Sequence, residues 1–244
     1  MCGRFTNQYS WAELHALYSL SDQSFPQSNL RPRFNVAPTD EMPIVRIKDG
    51  RRELGLLKWG LVPSSSKDAK DAAKLINARA ETVAEKPAFR SAFRHRRCLV
   101  PANGFYEWKK ITPKEKQPYF ITLKDKAPFA FAGLYEWWIP REGPRLETFT
   151  IITCAPNPLV AELHDRMPVI LGPESWSAWL GEHLLSPDKL KDLLKPFPPE
   201  RMEFWPVDKR VGNVANDEPS LILPVQPVAP EEKPPPKQKE PRLL

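Results

Sequence analysis

Residues 42–59 read MPIVRIKDGRRELGLLKW, and this stretch decides the fold class. Two runs rich in apolar residues, Met42–Ile47 and Leu54–Trp59, flank Lys48-Asp49-Gly50, where Asp-Gly is a strong signal for a tight hairpin turn. Similar short runs bounded by Pro, Gly or Lys predict further strands at Leu99–Val100, Tyr119–Leu123, Phe129–Gly133 and Phe149–Cys154. The pattern is typical of a strand-rich protein.

Helical patterns are fewer. They predict helices over Trp11–Leu20, Ala84–Phe93, Pro158–His164, Pro173–Leu180 and Pro187–Leu194, with Ser10 and Ser186 as N-caps of the first and the last. Because the strands outnumber the helices and do not alternate with them regularly, the order argues against a Rossmann-like sheet. We expect a single α+β domain built on a mixed or barrel-like sheet with peripheral helices.

Composition narrows the class of protein. The chain has 244 residues, long enough for one large domain or two small ones. No stretch approaches the roughly 18 apolar residues of a membrane span, and the N-terminus lacks a signal pattern. Three scattered cysteines make neither a disulfide framework nor a zinc motif. We therefore expect a cytoplasmic protein without metal or cofactor, in a reducing compartment.

Proline and charge are unevenly distributed along the chain. Part of the excess of proline, 29 residues in all, lies in residues 225–244, VQPVAPEEKPPPKQKEPRLL, which has no apolar periodicity. We predict a folded domain over 1–224 and a disordered tail over 225–244. The tail carries four basic and three acidic residues, 4 − 3 = +1, so the net charge of +6 belongs mostly to the folded part. Such a charge is compatible with a polyanionic partner.

One basic run, broken by Phe89 and Phe93, carries much of this charge: Lys86, Arg90, Arg94, His95, Arg96 and Arg97. It has two interpretations. It is a solvated helix face, or it contacts nucleic acid, because cations neutralise phosphates while aromatic faces stack on bases.

The first residues, Met1-Cys2-Gly3-Arg4-Phe5, carry the sharpest chemical signal. Methionine aminopeptidase generally removes Met before a small residue, which leaves Cys2 with an α-amine and a thiol on adjacent carbons. This 1,2-aminothiol condenses with an aldehyde to an imine and then closes through sulfur to a thiazolidine. An ordinary α-amine has a pKa of roughly 7.7–8.0, so a useful fraction of it is an unprotonated nucleophile at neutral pH.

Three further segments hold polar residues in apolar or turn-rich surroundings. In residues 75–82, LINARAET, extended chain places Asn77, Arg79 and Glu81 on one face. Glu107 stands between Tyr106 and Trp108 and is either a general acid or base with a raised pKa or a surface strand residue.

The segment 163–168, LHDRMP, leaves its own alternatives open. His164 is a proton donor, a ligand or a helix-end residue, and Arg166 contacts phosphate or pairs with Asp165. Asn77 is a structural hydrogen-bonding residue or one that orients a substrate. Cys2, Cys98, Cys154 and His164 together lack metal-ligand spacing.

The chain resembles the SOS response-associated peptidase (SRAP) family, which senses abasic sites in single-stranded DNA. The matching stretches run in the expected order from residue 1 to about 224: MCGRF at 1–5, RFNVAPT at 33–39, WGLVP at 59–63, INARAET at 76–82, FRHRRCLVPANGFYEWKK at 93–110, HDRMPVI at 164–170 and VGNVAND at 211–217.

This resemblance implies a distorted β-barrel and a covalent reaction. Cys2 is expected to attack the ring-opened aldehyde of an abasic site and to form a thiazolidine crosslink that shields the lesion, while imine chemistry also permits lyase activity. Asn77 is expected to position the sugar, Glu107 to move protons, and His164 to assist at the sugar hydroxyl and in reversal. The residues expected to line the DNA groove are Arg4, Asn35, Pro38, Arg79 and Arg166.

The resemblance also implies some features that this chain lacks or leaves idle. Family members often carry one or two tryptophans after the WG-x-x-P element that wedge against bases, whereas Ser64, Ser65 and Ser66 stand here. We expect a weaker non-covalent grip on DNA with the chemistry retained. The family's autoproteolysis is expected to be idle, because Cys2 directly follows Met1.

Two other functions remain open at this stage: a cysteine peptidase or autoprotease with Cys2 as nucleophile and His164 as base, and a non-enzymatic DNA-binding module. For the abasic-site function we expect a monomer that binds single-stranded DNA and no membrane, and that associates with the nucleoid if the source is bacterial.

Overall fold

The computed structural model describes residues 2–20, 30–69, 75–183 and 185–227. Most of the predicted tail, from residue 228 onwards, lies outside the described residues. The first residue of the predicted tail, Val225, contacts the domain, because its backbone N–H donates to the carbonyl of Pro206 over 2.9 Å.

One of the two sheets is five-stranded and antiparallel. Its strands are β1 (Phe5–Asn7), β2 (Arg33–Val36), β7 (Gly104–Lys110), β8 (Lys116–Leu123) and β13 (Met202–Pro206). They lie in the order β13-β8-β7-β1-β2. The N-terminal strand β1 therefore lies between the distant segments β2 and β7, which places the start of the chain inside the fold.

The other sheet is mixed. Its strands are β3 (Glu41–Lys48), β4 (Arg51–Trp59), β5 (Asn77–Arg79), β6 (Arg97–Ala102), β9 (Phe129–Trp138), β10 (Leu146–Cys154), β11 (Met167–Pro168) and β12 (Ile170–Leu171). Strand β10 pairs in parallel with β4 and β5 and antiparallel with β9 and β11. The expected α+β domain on a mixed, distorted barrel-like sheet is confirmed.

The hairpin predicted from residues 42–59 is present. Strands β3 and β4 pair in register from Glu41 with Lys58 to Lys48 with Arg51. The two turn residues, Asp49 and Gly50, have φ of 50° and 74°, the left-handed conformation that an Asp-Gly turn accommodates without steric cost.

Helices in the described residues are short: α1 (Trp11–Tyr18), α2 (Arg90–His95), α3 (Pro158–Ala161), α4 (Pro173–Leu180) and α5 (Pro187–Asp192). Ser10 and Ser186 cap α1 and α5 as predicted, their side chains accepting from the N–H groups of Glu13 and Lys189. None of these helices is long and apolar enough to cross a bilayer.

Two helix predictions were wrong in extent. The helix predicted over Ala84–Phe93 begins only at Arg90, because residues 80–89 form successive turns in which Pro87 lacks an N–H to donate. The helix predicted over Pro158–His164 ends at Ala161, and the following turn brings His164 back towards the sheets.

The core lies between the two sheets. Phe5 of β1 contacts Trp59 of β4 and Phe131 of β9, with ring centroids 5.2 and 5.7 Å apart, and all three side chains are fully buried. Because Phe5 is three residues from Cys2, this edge-to-face packing anchors the start of the chain.

Candidate active site

Cys2 is fully buried at the entrance to β1. Strand β1 pairs with β7, and the N–H of Tyr106 donates to the carbonyl of Arg4 over 3.0 Å, which places Glu107 beside the start of the chain. Burial and then the negative charge of Glu107 raise the pKa of the Cys2 thiol, while a hydrogen bond from the N–H of Arg4 opposes the rise. The thiol is therefore protonated in the resting protein.

Glu107 is a buried carboxyl, 2% exposed, and the interpretation as a surface strand residue is wrong. Burial raises the pKa of Glu107 to about 8. A carboxylic acid with this pKa is mostly protonated at neutral pH and is able both to donate a proton and to take one back.

His164 faces Glu107 from the other sheet's side of the site. Its Nε2 lies 3.9 Å from Oε2 of Glu107. The N–H of Arg166 points at Nδ1 over 3.0 Å, and the exposed carboxylate of Asp165 lies 2.9 Å from the same nitrogen.

The backbone N–H cannot turn away whereas the exposed carboxylate can. We therefore assign the proton of neutral His164 to Nε2, towards Glu107. Burial lowers the pKa of His164, which favours this neutral form.

Asn77 opens strand β5, and its amide is half satisfied. Its Nδ2 donates to the carbonyl of Ile76 over 3.0 Å, whereas its buried Oδ1 has no hydrogen-bond partner in the described residues. The indole of Trp59 donates to the same Ile76 carbonyl over 2.9 Å. Since Trp59 also packs on Phe5, it joins the strand that carries Asn77 to the strand that follows Cys2.

Arg4 and Asn35 form a hub rather than two independent groove residues. The Arg4 guanidinium donates to Oδ1 of Asn35 over 2.8 Å and to the carbonyl of Val211 over 2.8 Å. The buried Nδ2 of Asn35 donates to the carbonyls of Val211, Asn213 and Asn216. In the described structure Asn35 therefore holds a loop and Arg4 in place, and its direct contact with DNA stays a prediction.

Arg166 pairs with Glu81 and not with Asp165. Its two terminal nitrogens lie 2.7 and 2.9 Å from the two carboxylate oxygens of Glu81, and one also donates to the carbonyl of Thr153 over 2.6 Å. This bidentate pair forms because β5 ends at Arg79, so Glu81 leaves the strand and the predicted shared face with Asn77 is wrong. Arg79 itself is exposed at the end of the strand.

Pro38 is the remaining predicted groove residue. It is partly exposed, as are the members of the basic run. Pro38 is half-buried in the turn after β2, where the N–H of Asp40 donates to the carbonyl of Ala37. In the basic run Lys86, Arg90, Arg94 and His95 are exposed, whereas Arg96 pairs with Glu136 over 2.8 Å.

Metal ligation was the remaining alternative for the cysteines and His164. No three His, Cys, Asp or Glu side chains form a group that could hold a metal ion in the residues that the structure describes. Cys2, Cys98, Cys154 and His164 are therefore not gathered into one site.

Comparison with known proteins assigns the chain to a family. Residues 1–214 match the family model of SOS response associated peptidase (SRAP). The chain belongs to the SRAP family. Over 223 residues it is 45% identical to "Abasic site processing protein YoqW" of Bacillus subtilis (strain 168), covering 91% of this chain and 99% of that one. It is 32% identical over 228 residues to "Abasic site processing protein YedK" of Escherichia coli (strain K12), covering 92% and 100%.

Solved structures agree with this SRAP assignment. A crystal structure of a protein from Bacteroides thetaiotaomicron superposes with a TM-score of 0.83 at 31% identity, covering 92% of this chain and 100% of that one. A phage-related protein from Bordetella bronchiseptica gives a TM-score of 0.65 at 28% identity, covering 85% and 95%.

Reading the sequence missed two residues whose hydrogen bonds support the site. Asp217 accepts hydrogen bonds from the N–H groups of Phe34 and Asn35, over 2.6 and 3.1 Å, and from Nε of Arg33 over 2.5 Å. Trp59 orients the Ile76 carbonyl next to Asn77. Both stand in quoted motifs, VGNVAND and WGLVP, but their partners are 182 and 17 residues away, so the motifs alone gave no role.

Proposed function

We propose that this SRAP protein captures abasic sites in single-stranded DNA as a thiazolidine formed by the amine and thiol of Cys2 after Met1 has been removed. The observation that carries the proposal is the grouping of buried Cys2 and Glu107 with half-buried His164, with a Glu107 pKa of about 8 and 3.9 Å between Nε2 of His164 and Oε2 of Glu107. The relatives named as abasic site processing proteins support the choice of aldehyde.

The amine reacts first in this scheme. The unprotonated α-amine of Cys2 adds to the ring-opened aldehyde of the abasic site and gives a carbinolamine. Protonated Glu107 then donates its proton to the hydroxyl, water leaves, and an iminium and the Glu107 carboxylate remain. A neutral His164, with its proton on Nε2, is placed to donate a hydrogen bond to an oxygen between it and Glu107.

Ring closure returns the proton. The Glu107 carboxylate takes the proton of the Cys2 thiol as the sulfur adds to the iminium carbon, and the neutral thiazolidine forms. The sum is aminothiol plus aldehyde giving thiazolidine plus one water, with Glu107 regenerated. A thiol with a raised pKa suits this order. The sulfur becomes nucleophilic only after loss of water from the carbinolamine has left the Glu107 carboxylate beside it.

Groove residues hold the strand in this proposal. Arg4, Arg79 and Arg166 carry the positive charges for the DNA backbone, and Asn35 and Pro38 shape the groove wall. The unpartnered Oδ1 of Asn77 is an acceptor for a hydroxyl or amine hydrogen of the reacting groups.

A peptidase remains the alternative function, because the family description includes that activity. A cysteine peptidase needs a thiolate activated by a nearby base. Here burial raises the pKa of the Cys2 thiol, and the Nε2 atom of His164 faces Glu107. Both observations favour aldehyde capture over peptide hydrolysis.

Intact mass spectrometry tests the proposal. The protein is measured before and after mixing with an oligonucleotide that carries one abasic site. We expect loss of Met1, followed by an adduct lighter than the sum of its parts by one water. Cys2→Ala should give no adduct, and Cys154→Ala, a matched change at another buried cysteine, should give the same adduct as the parent. A protein with an exposed N-terminal Cys2 that forms no adduct would refute the proposal.

A further inference from the structure

Arg97, at the start of β6, holds the ends of two helices. Its Nε donates to the carbonyl of Trp179 in α4 over 2.6 Å. Its Nη1 donates to the carbonyls of Phe93 and Arg94 in α2, over 2.9 and 2.8 Å. The last carbonyls of a helix lack partners within the helix, so Arg97 satisfies groups at both C-termini.

In the residues that the structure describes, the guanidinium of Arg97 lacks the carboxylate partner that three other shielded arginines have. Arg46, Arg52 and Arg96 each form an ion pair with a glutamate at 2.5–2.8 Å. Within the described ranges, no ion pair to a carboxylate forms at Arg97. Burial accordingly lowers its pKa. A desolvated cation without a counter-ion is costly, and a bound anion removes that cost.

Arg4 shows the same pattern. It too donates to backbone carbonyls, those of Val211 and Gly212, and has no carboxylate partner within the part of the chain described. Burial lowers its pKa as well. Arg4 stands in the groove proposed for DNA, so the parallel suggests an anionic ligand at Arg97.

A cleft of about 350 Å³ opens beside Arg97. Phe93, Leu185 and Leu190 supply apolar lining, and the charged lining consists of Arg94, Arg97 and Lys191 against a single acid, Glu85. Neither Arg94 nor Lys191 is ion-paired within the described residues. The cleft therefore combines an apolar surface with an excess of positive charge.

Gly181 lets the guanidinium reach this cleft. A Cβ at position 181 would lie 2.6 Å from Nη2 of Arg97, and the residue has a φ of 86°. Glycine is thus required both by the left-handed end of α4 and by the close approach of Arg97. No hydrogen bond occupies Nη2 within the described residues, so this nitrogen remains a donor for a ligand.

We propose that this cleft binds a phosphate group carried on an aromatic ring system, which is the chemistry of a nucleotide. The phosphate is held by Arg97, Arg94 and Lys191, and the ring packs on half-buried Leu185, next to the buried side chains of Phe93 and Leu190. Two sources supply this chemistry: a nucleotide of a DNA strand, or a free nucleoside monophosphate.

The strand is the source that the surroundings favour. Lys191 also lines a second cleft, of about 310 Å³, together with Glu81 and Cys154. Glu81 is the partner of Arg166 in the proposed DNA groove. The strand source rests on the proposed function, whereas binding of a free nucleotide does not.

Titration of the full chain with deoxyadenosine monophosphate tests whether the cleft binds a free nucleotide. Fluorescence anisotropy with a shorter and a longer undamaged single strand tests whether it binds a nucleotide of a DNA strand. The test variant is Arg94→Gln with Lys191→Gln, both exposed. The matched control is Lys48→Gln with Arg51→Gln, which removes equal charge at the β3–β4 hairpin. The Nε–H signal of Arg97 in a nitrogen-15 spectrum reports the place of binding.

A nucleotide that shifts the Arg97 signal and binds about tenfold more weakly to the test variant, but not to the control, supports the free source. A longer strand that loses about tenfold in affinity in the test variant alone, while the shorter one is unaffected, supports the strand source. Equal affinities in test and control variants for both ligands overturn the proposal. Both assays use DNA or nucleotide without an aldehyde, so they stand even if no crosslink forms.

Discussion

The two sheets of this SRAP protein make different contributions to one site. Cys2 precedes β1 and Glu107 lies in β7, two neighbouring strands of the five-stranded sheet, and both side chains are buried. Arg79 and Asn77 come from β5 of the mixed sheet, and His164 and Arg166 from the turn after α3. In the proposed function the first sheet therefore holds the buried reacting groups, and the second presents a partly solvated surface for a DNA strand.

In the proposed function, the chemical step and the non-covalent binding of DNA can therefore be altered separately. A change in the five-stranded sheet should alter which bonds form and how their rates depend on pH. A change on the side of the mixed sheet should alter how tightly DNA is held before reaction.

Replacing Cys2 by Ser gives the largest expected effect. The α-amine remains after Met1 removal, but a hydroxyl is a poor nucleophile, so the iminium forms and does not close to a stable ring. We expect complete loss of the heat-stable adduct and retention of an adduct that borohydride traps. Denaturing gels with and without borohydride measure both species. A heat-stable adduct in Cys2→Ser would show that the thiol is not needed and would break the comparison.

Glu107→Gln should slow crosslinking by about 10²–10⁴-fold, the usual contribution of a general acid or base. In the parent, the acid form of Glu107 is lost as pH rises through about 8, so the rate should fall above that pH. The variant should lack this alkaline fall. Single-turnover rates between pH 6 and 10 measure it, and an alkaline limb that survives in the variant would assign it elsewhere.

Stability provides the control for that variant. The folded protein binds a proton at Glu107 more tightly than the unfolded chain does, because the pKa is raised on folding. Its contribution to the free energy of unfolding therefore falls as pH rises from about 4.5 to 8. Glu107→Gln should be no less stable than the parent at pH 9, which separates lost chemistry from lost fold.

Asp217→Asn should destabilise the edge of the five-stranded sheet. An amide can replace one acceptor but turns a donor towards Arg33 or a backbone N–H. We expect a loss of about 2–4 kcal/mol in the free energy of unfolding, from several half-buried charge-assisted hydrogen bonds. Thermal unfolding measures this as roughly 2–4 °C for each kcal/mol.

The matched control for that experiment is Asp192→Asn, at an exposed acid 3.5 Å from Lys195. It should change the stability by less than about 1 kcal/mol. Equal effects of the two substitutions would mean that the 211–217 loop does not support β2.

Ser66→Trp tests the grip on the side of the mixed sheet. The carbonyl of Ser66 accepts from the indole of Trp138 over 2.7 Å, so this loop lies against β9. A stacking indole contributes about 1–3 kcal/mol per base, which should raise the crosslinking rate on dilute abasic DNA and leave the rate at saturation unchanged. Equal rates on dilute DNA would contradict the proposed weak grip.

Strands and caps were accessible from sequence because their signals are local. The Asp-Gly turn predicted the β3–β4 hairpin, and Ser10 and Ser186 predicted the starts of two helices. The late start of α2 was missed, although Pro87 in the turns before it is a local signal against a helix.

The site was accessible only in part. The residue types in Cys2, Glu107 and His164 pointed to proton transfer, but nothing local told whether Glu107 is buried. Arg166 was assigned two partners and has a third, Glu81, which lies 85 residues away. Such a partner depends on the parallel pairing of β5 with β10, a contact that no short motif encodes.

The contact between Arg4 and Val211 has a consequence for the timing of synthesis. The start of the chain is anchored by a carbonyl 207 residues later, and Cys2 is fully buried once that contact is made. In the proposed function we expect Met1 to be removed while the ribosome is still extending the chain, before residue 211 has emerged, because Cys2 is not yet buried at that stage. The contact of Arg4 with Val211 then forms late, because residue 211 is among the last parts of the domain to be synthesised.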